Sequence, residues 1–476
     1  MRTIIRAAGL AALLGAPLLL PGGLFAQGLG VYEHSACMSG RNGAGVADPC
    51  DDASAVFFNP AGLAFGRTGI GIGITGVRTS NTFVYDKTGT VAKRGPATIP
   101  VPNGFASIRL GDRLAAGLGV WAPYGLALKW PLSFEGRYSG YDNSLRTIYI
   151  QPTLAYQLVP RRLSVGAGLD VVRGSVAIHQ RMDLAEQKVT GTPYTFGALG
   201  LVPKSTDFAD VALEGDAWGA TAHIGAALRI TDQLSVGARW MHRVKLNYND
   251  GTATFTQVPT NLTLAANNPL HLPAGTPIDA LLAPQFKSGG AMVEQTVTTK
   301  MTFPSMAVVG VAFRPVQPLN LLADYQWTGW KTFDELPLTF KTSGRTEAVQ
   351  LQYGNANTYR VGAEYDVIPA LQVRGGLIFT TPAERKQSVS PLLPEAKRTY
   401  YSGGLSLNLT RNFTGDVFFQ HLVQADRRGR VRPLDPSAAL DPQIVGVYTS
   451  DANLFGVTLR YMIGQPTPLV TATAAR

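Results

Sequence analysis

Asp51 and Asp52 open the stretch DDASAVFFNPAGLA, residues 51–64. Two adjacent carboxylates are raw material for acid–base chemistry, which also needs a nucleophile or base within hydrogen-bond reach. None neighbours them in the sequence, so a capping or turn role fits better. Cys37 and Cys50 stand 13 positions apart. In an exported protein an even pair of cysteines reads as a disulfide. Closing so short a loop contributes roughly 3 kcal/mol on the chain-entropy account. Metal binding is the weaker alternative: His34 is near, but no CxxC or spaced His pair completes a site. Gly71-Ile72-Gly73-Ile74-Thr75-Gly76 has the GxGxxG spacing of a dinucleotide loop. Such a loop must leave a strand and open a helix. Here glycines alternate with isoleucines and no helix follows. GxSxG, Walker A and HExxH patterns are absent, and the six histidines are scattered. The chain reads as a non-enzyme, with no catalytic residue, no metal ligands and no cofactor.

The elements around these residues begin with an export signal. Arg2 and Arg6 precede an apolar run from Ala7 to Leu20, then Pro21-Gly22-Gly23 and a cleavage point after Ala26. This is the plan of a secretory leader over residues 1–26. The apolar run is short of the ~20 residues that a membrane helix needs. No later run is long enough either. Charged residues make up 16% of the chain, against about 25% in soluble domains. Glycine is abundant, at 52 residues. Low charge, high glycine and an export signal point to a β-protein that faces something other than water. The formal charge of +10 has no dense Lys/Arg run behind it, which argues against nucleic acid as a partner.

Strand signals recur with period two. Leu163, Val165, Ala167, Leu169 and Val171 alternate with Ser164, Gly166, Gly168 and Asp170. Phe455, Val457, Leu459 and Tyr461 alternate with Gly456, Thr458 and Arg460. About fourteen such segments run from 67 to 463, an even number as membrane barrels require. Short turns at 112–113, 159–161, 231–232, 314–317, 367–369 and 410–411 alternate with long loops. The long ones are 81–102, 123–143, 182–209, 249–292, 331–346, 381–396 and 425–449. Short periplasmic turns and long external loops are the mark of an outer-membrane barrel. A soluble sandwich has no reason to sort its loops this way. The fold class is therefore all-β: a transmembrane antiparallel β-barrel in the outer membrane of a Gram-negative cell, in contact with lipid and lipopolysaccharide.

Asp170, Arg229, Arg239, Arg360, Glu364 and Arg374 fall on strand faces opposite the apolar ones, as in a polar lumen. Loop 249–292 carries Leu262, Leu264, Leu270, Leu272, Leu281 and Leu282. These form either a landing groove for an apolar ligand or the loop's own packing.

The opening stretch, with Glu33-His34-Ser35-Ala36 and Gly40 to Gly45 before it, resembles the N-terminal plug of the FadL/TodX family. Those proteins are outer-membrane transporters of long-chain fatty acids and other hydrophobic compounds. Trp121-Ala122-Pro123-Tyr124-Gly125, Gln151-Pro152-Thr153-Leu154-Ala155-Tyr156, Asp324 to Trp330, Tyr359 to Tyr365 and Pro394-Glu395-Ala396-Lys397-Arg398 resemble further family segments, in the expected order. The resemblance implies a fourteen-stranded barrel over 67–463 with a hatch over 27–66 inside the lumen. The tail 464–476 after Tyr461 departs from the family, whose barrels usually end on an aromatic residue closing the last strand; it leaves the assembly signal internal or the tail periplasmic. Asn59, Pro60, Ala61 and Gly62 match the gating turn of the hatch. Ligand is expected to enter at the external loops and leave sideways beside a kinked strand, with no cofactor and from a monomer. The ligand is a hydrophobic small molecule: a fatty acid or, alternatively, an aromatic hydrocarbon. A structural or adhesive barrel is a third reading. Phe57 and Phe58 either line the pocket or pack as hatch core. Arg146, Arg173, Arg181 and Arg398 are the candidates to pair with a ligand carboxylate.

Overall fold

The structure, a computed structural model, describes residues 30–94, 97–189, 191–342, 344–385, 389–391, 394–429 and 445–464. The leader over 1–26 and nearly all of the tail over 464–476 lie outside those residues.

Fourteen staves make one closed antiparallel barrel. They are β1 (Thr68–Tyr85), β2 (Ala97–Arg109), β3 (Leu114–Trp121 and Gly125–Lys129), β4 (Asp142–Val159), β5 (Leu163–Asp183), β6 (Asp207–Arg229) and β7 (Leu234–Met241 and Val244–Gln257). Then follow β8 (Gln295–Phe303 and Met306–Val316), β9 (Leu319–Thr328 and Glu335–Phe340), β10 (Thr346–Gln350 and Ala356–Ile368), β11 (Leu371–Thr380), β12 (Arg398–Asn408), β13 (Phe413–Gln424) and β14 (Gly446–Ile463). Closure is a continuous ladder from Thr68↔Ile463 to Tyr85↔Gly446, which spares the chain a free edge in hydrocarbon. Outward positions are apolar and exposed, among them Ile72, Leu154, Leu169, Ile224, Val309 and Leu459. Inward ones, such as Ser164, Asp170 and Val172, are buried. The GxGxxG stretch lies inside β1.

The staves differ in length. β5 has 21 residues and β6 has 23, where a barrel strand needs about 9–11 to cross the bilayer. Their surplus projects on the long-loop side. There Leu184, Phe196, Phe208, Leu264, Ile278 and Leu282 build a separate small core from two external loops. Leu262, Leu270 and Leu281 pack against it, and Leu272 is exposed. The loop leucines therefore serve self-packing, not an open landing groove. Part of the expected loop 331–346 is also strand, Glu335–Phe340.

One seam interrupts the wall. β2 and β3 pair from Arg109↔Ala115 to Gly104↔Val120, and the ladder then stops. Beyond Trp121 the stave breaks at Ala122-Pro123-Tyr124. Proline lacks the N–H that a ladder needs. The resumed piece, Gly125–Lys129, pairs with β4. Residues 97–103 pair with β1 but have no ladder partner on the β3 side among the described residues.

Candidate functional site

Residues 31–65 are almost entirely buried and sit inside the ring of staves. Their local structure is short: a helical turn at Ala36–Gly40, another at Ala55–Phe58, and a 3-10 turn at Pro60–Ala64. Ser35 caps the first by accepting from Met38 N. Asp52 shapes the second bend, with Oδ1 accepting from Ser54 N at 3.0 Å and Oδ2 accepting from Ser35 Oγ. Asp51 accepts from Arg67 N at 3.1 Å and Nε at 2.5 Å. Both acids hold the turn. Cys37 and Cys50 are disulfide-bonded, with Cα atoms 6.3 Å apart.

The wall is carved to receive this segment. At the contact positions it carries glycine, where any side chain would collide. A Cβ on Gly225 would stand 2.2 Å from Asn59 Oδ1, one on Gly166 2.4 Å from Pro60 C, and one on Gly237 2.2 Å from Val46 O. Gly117, Gly362, Gly376 and Gly404 make similar approaches around the ring. The glycine abundance of the sequence is thus partly a seat.

Asn59 is fully buried and uses its whole amide. Oδ1 accepts from Ala61 N at 3.1 Å, and Nδ2 donates to Val46 O at 2.6 Å and to Ala226 O of β6 at 3.0 Å. It caps the 3-10 turn, with Pro60 at the first position, where the missing N–H is harmless. Gly62 is needed for space rather than for unusual dihedrals: a Cβ there would lie 2.5 Å from Pro49 Cγ. Asn59→Ala removes a cap and leaves two buried carbonyls without their donor. It should destabilise the seated segment by about 2–4 kcal/mol while the barrel stays folded. Proteolysis of the segment against heat-modifiability of the barrel on gels separates the two.

Charged lumen residues fasten the segment. Arg239 Nη1 donates to Phe57 O, and its guanidinium lies 4.1 Å from the centre of the Phe57 ring. Arg360 stacks 3.9 Å from the Tyr32 ring centre. Asp324 Oδ2 accepts from Gly45 N at 2.8 Å and Val46 N at 3.0 Å. Arg41 reaches Glu364 at 3.4 Å, and Arg374 reaches the same carboxylate at 2.8 Å. Asp170 and His223, 3.0 Å apart, join β5 to β6 within the wall itself.

His34 packs edge-on against Phe57 and Trp121 and bonds to Val31 O at 3.0 Å. Burial pushes its imidazole down to about 3. A histidine depressed in the folded state contributes stability above its free pKa of ~6.5 and loses it as pH falls toward 3. Burial raises the Glu33 carboxyl, which acts in the opposite direction. His34→Gln isolates the first effect. The acid-induced loosening seen by protease at pH 4.5 relative to 7.5 should be smaller in the variant than in the parent protein.

Above and below the segment the lumen differs in kind. On the short-turn side lies a polar hollow of 860 Å³, lined by Arg41, Asp48, Arg67, Arg229, Arg314 and Arg460 among others. On the long-loop side is a narrow cavity of 60 Å³ between Leu126, Leu145, Val176, Ile178, Met301 and Tyr353. A second hollow of 20 Å³ shares Val176, Ile178, Met301 and Leu336 with it. From this apolar chamber a chain of ring contacts runs through Tyr353, Phe333, Trp330, Tyr124, Tyr149 and Trp121 to Phe57. Trp121 and Tyr124 flank the break in β3, so the track reaches both the segment and the seam. Just inside the seam Val31 packs in one cluster with Ile99, Val101 and Ala122.

The four arginine candidates separate. Arg146 and Arg173 fall on outward positions. Arg146 alternates with buried Leu145 and Thr147, and Arg173 is half exposed, 3.5 Å from Asp216. Arg181 is engaged by Asp210 at 3.1 Å and Asp207 at 3.9 Å. These three do not face the chamber. Arg398 is inward and buried. Its Nε donates to Gln424 Oε1 at 2.8 Å, while Nη1 is buried with no hydrogen-bond partner among the described residues. It lies within electrostatic reach of Tyr353 in the chamber wall. Phe57 and Phe58 pack against Tyr32 and line neither hollow. The sequence reading missed Val176, Ile178, Met301 and Leu336. The available signal was the change of the inward face of β5 from Ser, Gly and Asp at one end to Val and Ile at the other.

The model of the outer membrane protein transport family (OMPP1/FadL/TodX) matches residues 19–463. Outer membrane protein P1 of Haemophilus influenzae is 25% identical over 478 residues, covering 94% of this chain and 97% of the relative. The 47 kDa outer membrane protein of Pasteurella multocida is 24% identical over 93% of this chain and 96% of its own length. Among solved structures, a Pseudomonas aeruginosa FadL homologue superposes with TM-score 0.75 at 20% identity, over 92% of this chain and 100% of the other. The toluene transporter TodX of P. putida gives 0.64 at 18%, over 92% and 100%.

Proposed function

The chain belongs to the outer membrane protein transport family (OMPP1/FadL/TodX) and is an outer-membrane β-barrel; on that premise we propose that it takes up long-chain fatty acids passively through a plugged lumen. What supports this reading is the apolar wall on the long-loop side of the lumen, at Leu145, Val176, Ile178, Met301 and Leu336, with buried Arg398 within electrostatic reach of Tyr353 in that wall; the small hollows there must widen to admit an acyl chain. An acyl tail gains about 0.8 kcal/mol for each CH₂ it buries, and a guanidinium is the natural partner of its carboxylate. Residues 30–66 act as the hatch, and the turn Asn59-Pro60-Ala61-Gly62 is its movable contact with the wall. Release is sideways through the β2–β3 seam. The aromatic track supports that route, and the arginine-lined hollow below the hatch is a poor path for an apolar molecule. The protein works as a monomer among lipid and lipopolysaccharide, without a cofactor.

A second reading, uptake of aromatic hydrocarbons, is favoured by the narrowness of the chamber and its ring-rich wall. Cells lacking the protein, with and without it restored, should be compared for uptake of radiolabelled oleate and of toluene. The fatty-acid reading expects oleate uptake to depend on the protein. Restored toluene uptake with oleate at background would replace that reading with the second.

A further inference from the structure

The lipid-facing side of β3 to β8 is not smooth: it carries an apolar groove of 630 Å³. Two cross-strand rows form it. Val165, Ala226, Ala238 and Val309 lie opposite one another in turn, and beside them Ala167, Ile224, Trp240 and Ala307. The alanines make a low floor between taller walls that include Leu154 and Tyr156. One end of the groove is fixed in depth. Leu114 and Tyr156, paired in register, sit beside the short turns, which is the periplasmic rim.

That rim is basic. Arg113 precedes Leu114, and Arg161 and Arg162 occupy the turn between β4 and β5; all three are exposed. The two turns are tied together by Gln157 N donating to Arg113 O at 2.9 Å. Gln157 Oε1 also accepts from Arg161 N at 2.7 Å. None of the three guanidiniums has an ion-pair partner among the described residues. A slot for hydrocarbon that ends in three unpaired positive charges at the membrane surface matches an acyl chain carrying a negative headgroup.

We propose that this groove is a binding site for an anionic phospholipid of the periplasmic leaflet, with one acyl chain over Ala226 and Ala238 and its phosphate at Arg113, Arg161 and Arg162. The leaflet follows from the rim, since lipopolysaccharide occupies the opposite face. The site backs directly onto the seat of the buried segment. Gly166 and Gly225 line the groove, and the same two residues meet Pro60 and Asn59 on the lumen side. The lipid is separated from the Asn59-Pro60 turn by one layer of backbone.

The test is native mass spectrometry of the full chain in neutral detergent, titrated in turn with phosphatidylglycerol, phosphatidylcholine and lipopolysaccharide. Phosphatidylglycerol should be held preferentially. Near a membrane surface each arginine is worth about a fivefold change in affinity, so R113Q/R161Q/R162Q should weaken it by roughly a hundredfold. Ala226→Leu fills the groove with an apolar side chain that lipid tolerates, and it should lower retention of phosphatidylglycerol with the arginines intact. It also keeps the test valid if the triple variant fails to fold. Equal retention of phosphatidylcholine, preference for lipopolysaccharide, or unchanged binding in Ala226→Leu would each overturn the proposal.

Discussion

Gly225→Val is expected to leave the barrel folded and to unseat the segment inside it, converting a closed pore into a conducting one. Valine suits a strand, so β6 itself loses nothing by the change. The new Cβ, however, would stand 2.2 Å from Asn59 Oδ1 and 2.7 Å from Pro60 Cδ. Ordinary overpacking costs about 1–3 kcal/mol because neighbours shift. Here the obstructed residue is Asn59, whose amide is already spent on Val46 O, Ala226 O and Ala61 N. It cannot turn aside without losing all three bonds. Gly237→Val meets backbone directly, at Val46 O, and the double variant should be the more severe. Ion conductance in planar bilayers should rise from background to that of an open lumen, and cells should become sensitive to large antibiotics. Gly104→Val is the control, since a Cβ there has open space around it, and it should stay silent. Silence in Gly225→Val and Gly237→Val as well would show that the seat yields and that the glycines are not what keeps the lumen closed.

The architecture was legible in the sequence because the bilayer imposes two regularities that need no tertiary knowledge. Side chains alternate with period two, and loop length alternates with side of the membrane. Leu163 to Val171 shows the first, and turns such as Asp112-Arg113 show the second. The candidate site was legible only in part. Charge alone marks Arg146 and Arg173 as candidates, although the same parity rule places them beside inward Leu145 and Val172 and therefore on the outer face. Arg398 is inward, but nothing in the sequence marks its Nη1 as lacking a hydrogen bond among the described residues. That depends on Gln424 from another stave occupying Nε. The chamber was hidden for a related reason. Val176, Met301 and Leu336 come from β5, β8 and β9, and only closure of the barrel brings them together. The glycine seat was hidden too, because a strand glycine in this chain reads as composition until the segment that it admits is in place.

Arg398→Gln separates the two ligand readings more sharply than any change to the chamber wall. Glutamine keeps a donor and much of the length but removes the charge. The hydrogen bond to Gln424 Oε1 can persist, so the fold should be undisturbed. A hydrogen bond to a charged group contributes about 1.5–3 kcal/mol, so the affinity for oleate should fall by roughly tenfold to a hundredfold. Toluene has no charge to lose and should be taken up as before. Hexadecane binding to the purified protein, which reports the apolar chamber alone, should likewise be unchanged. A uniform loss of all three ligands would point to damage in the chamber. Unchanged oleate affinity would mean that the carboxylate stays in water while the tail alone is bound, and that Arg398 serves the wall rather than the ligand.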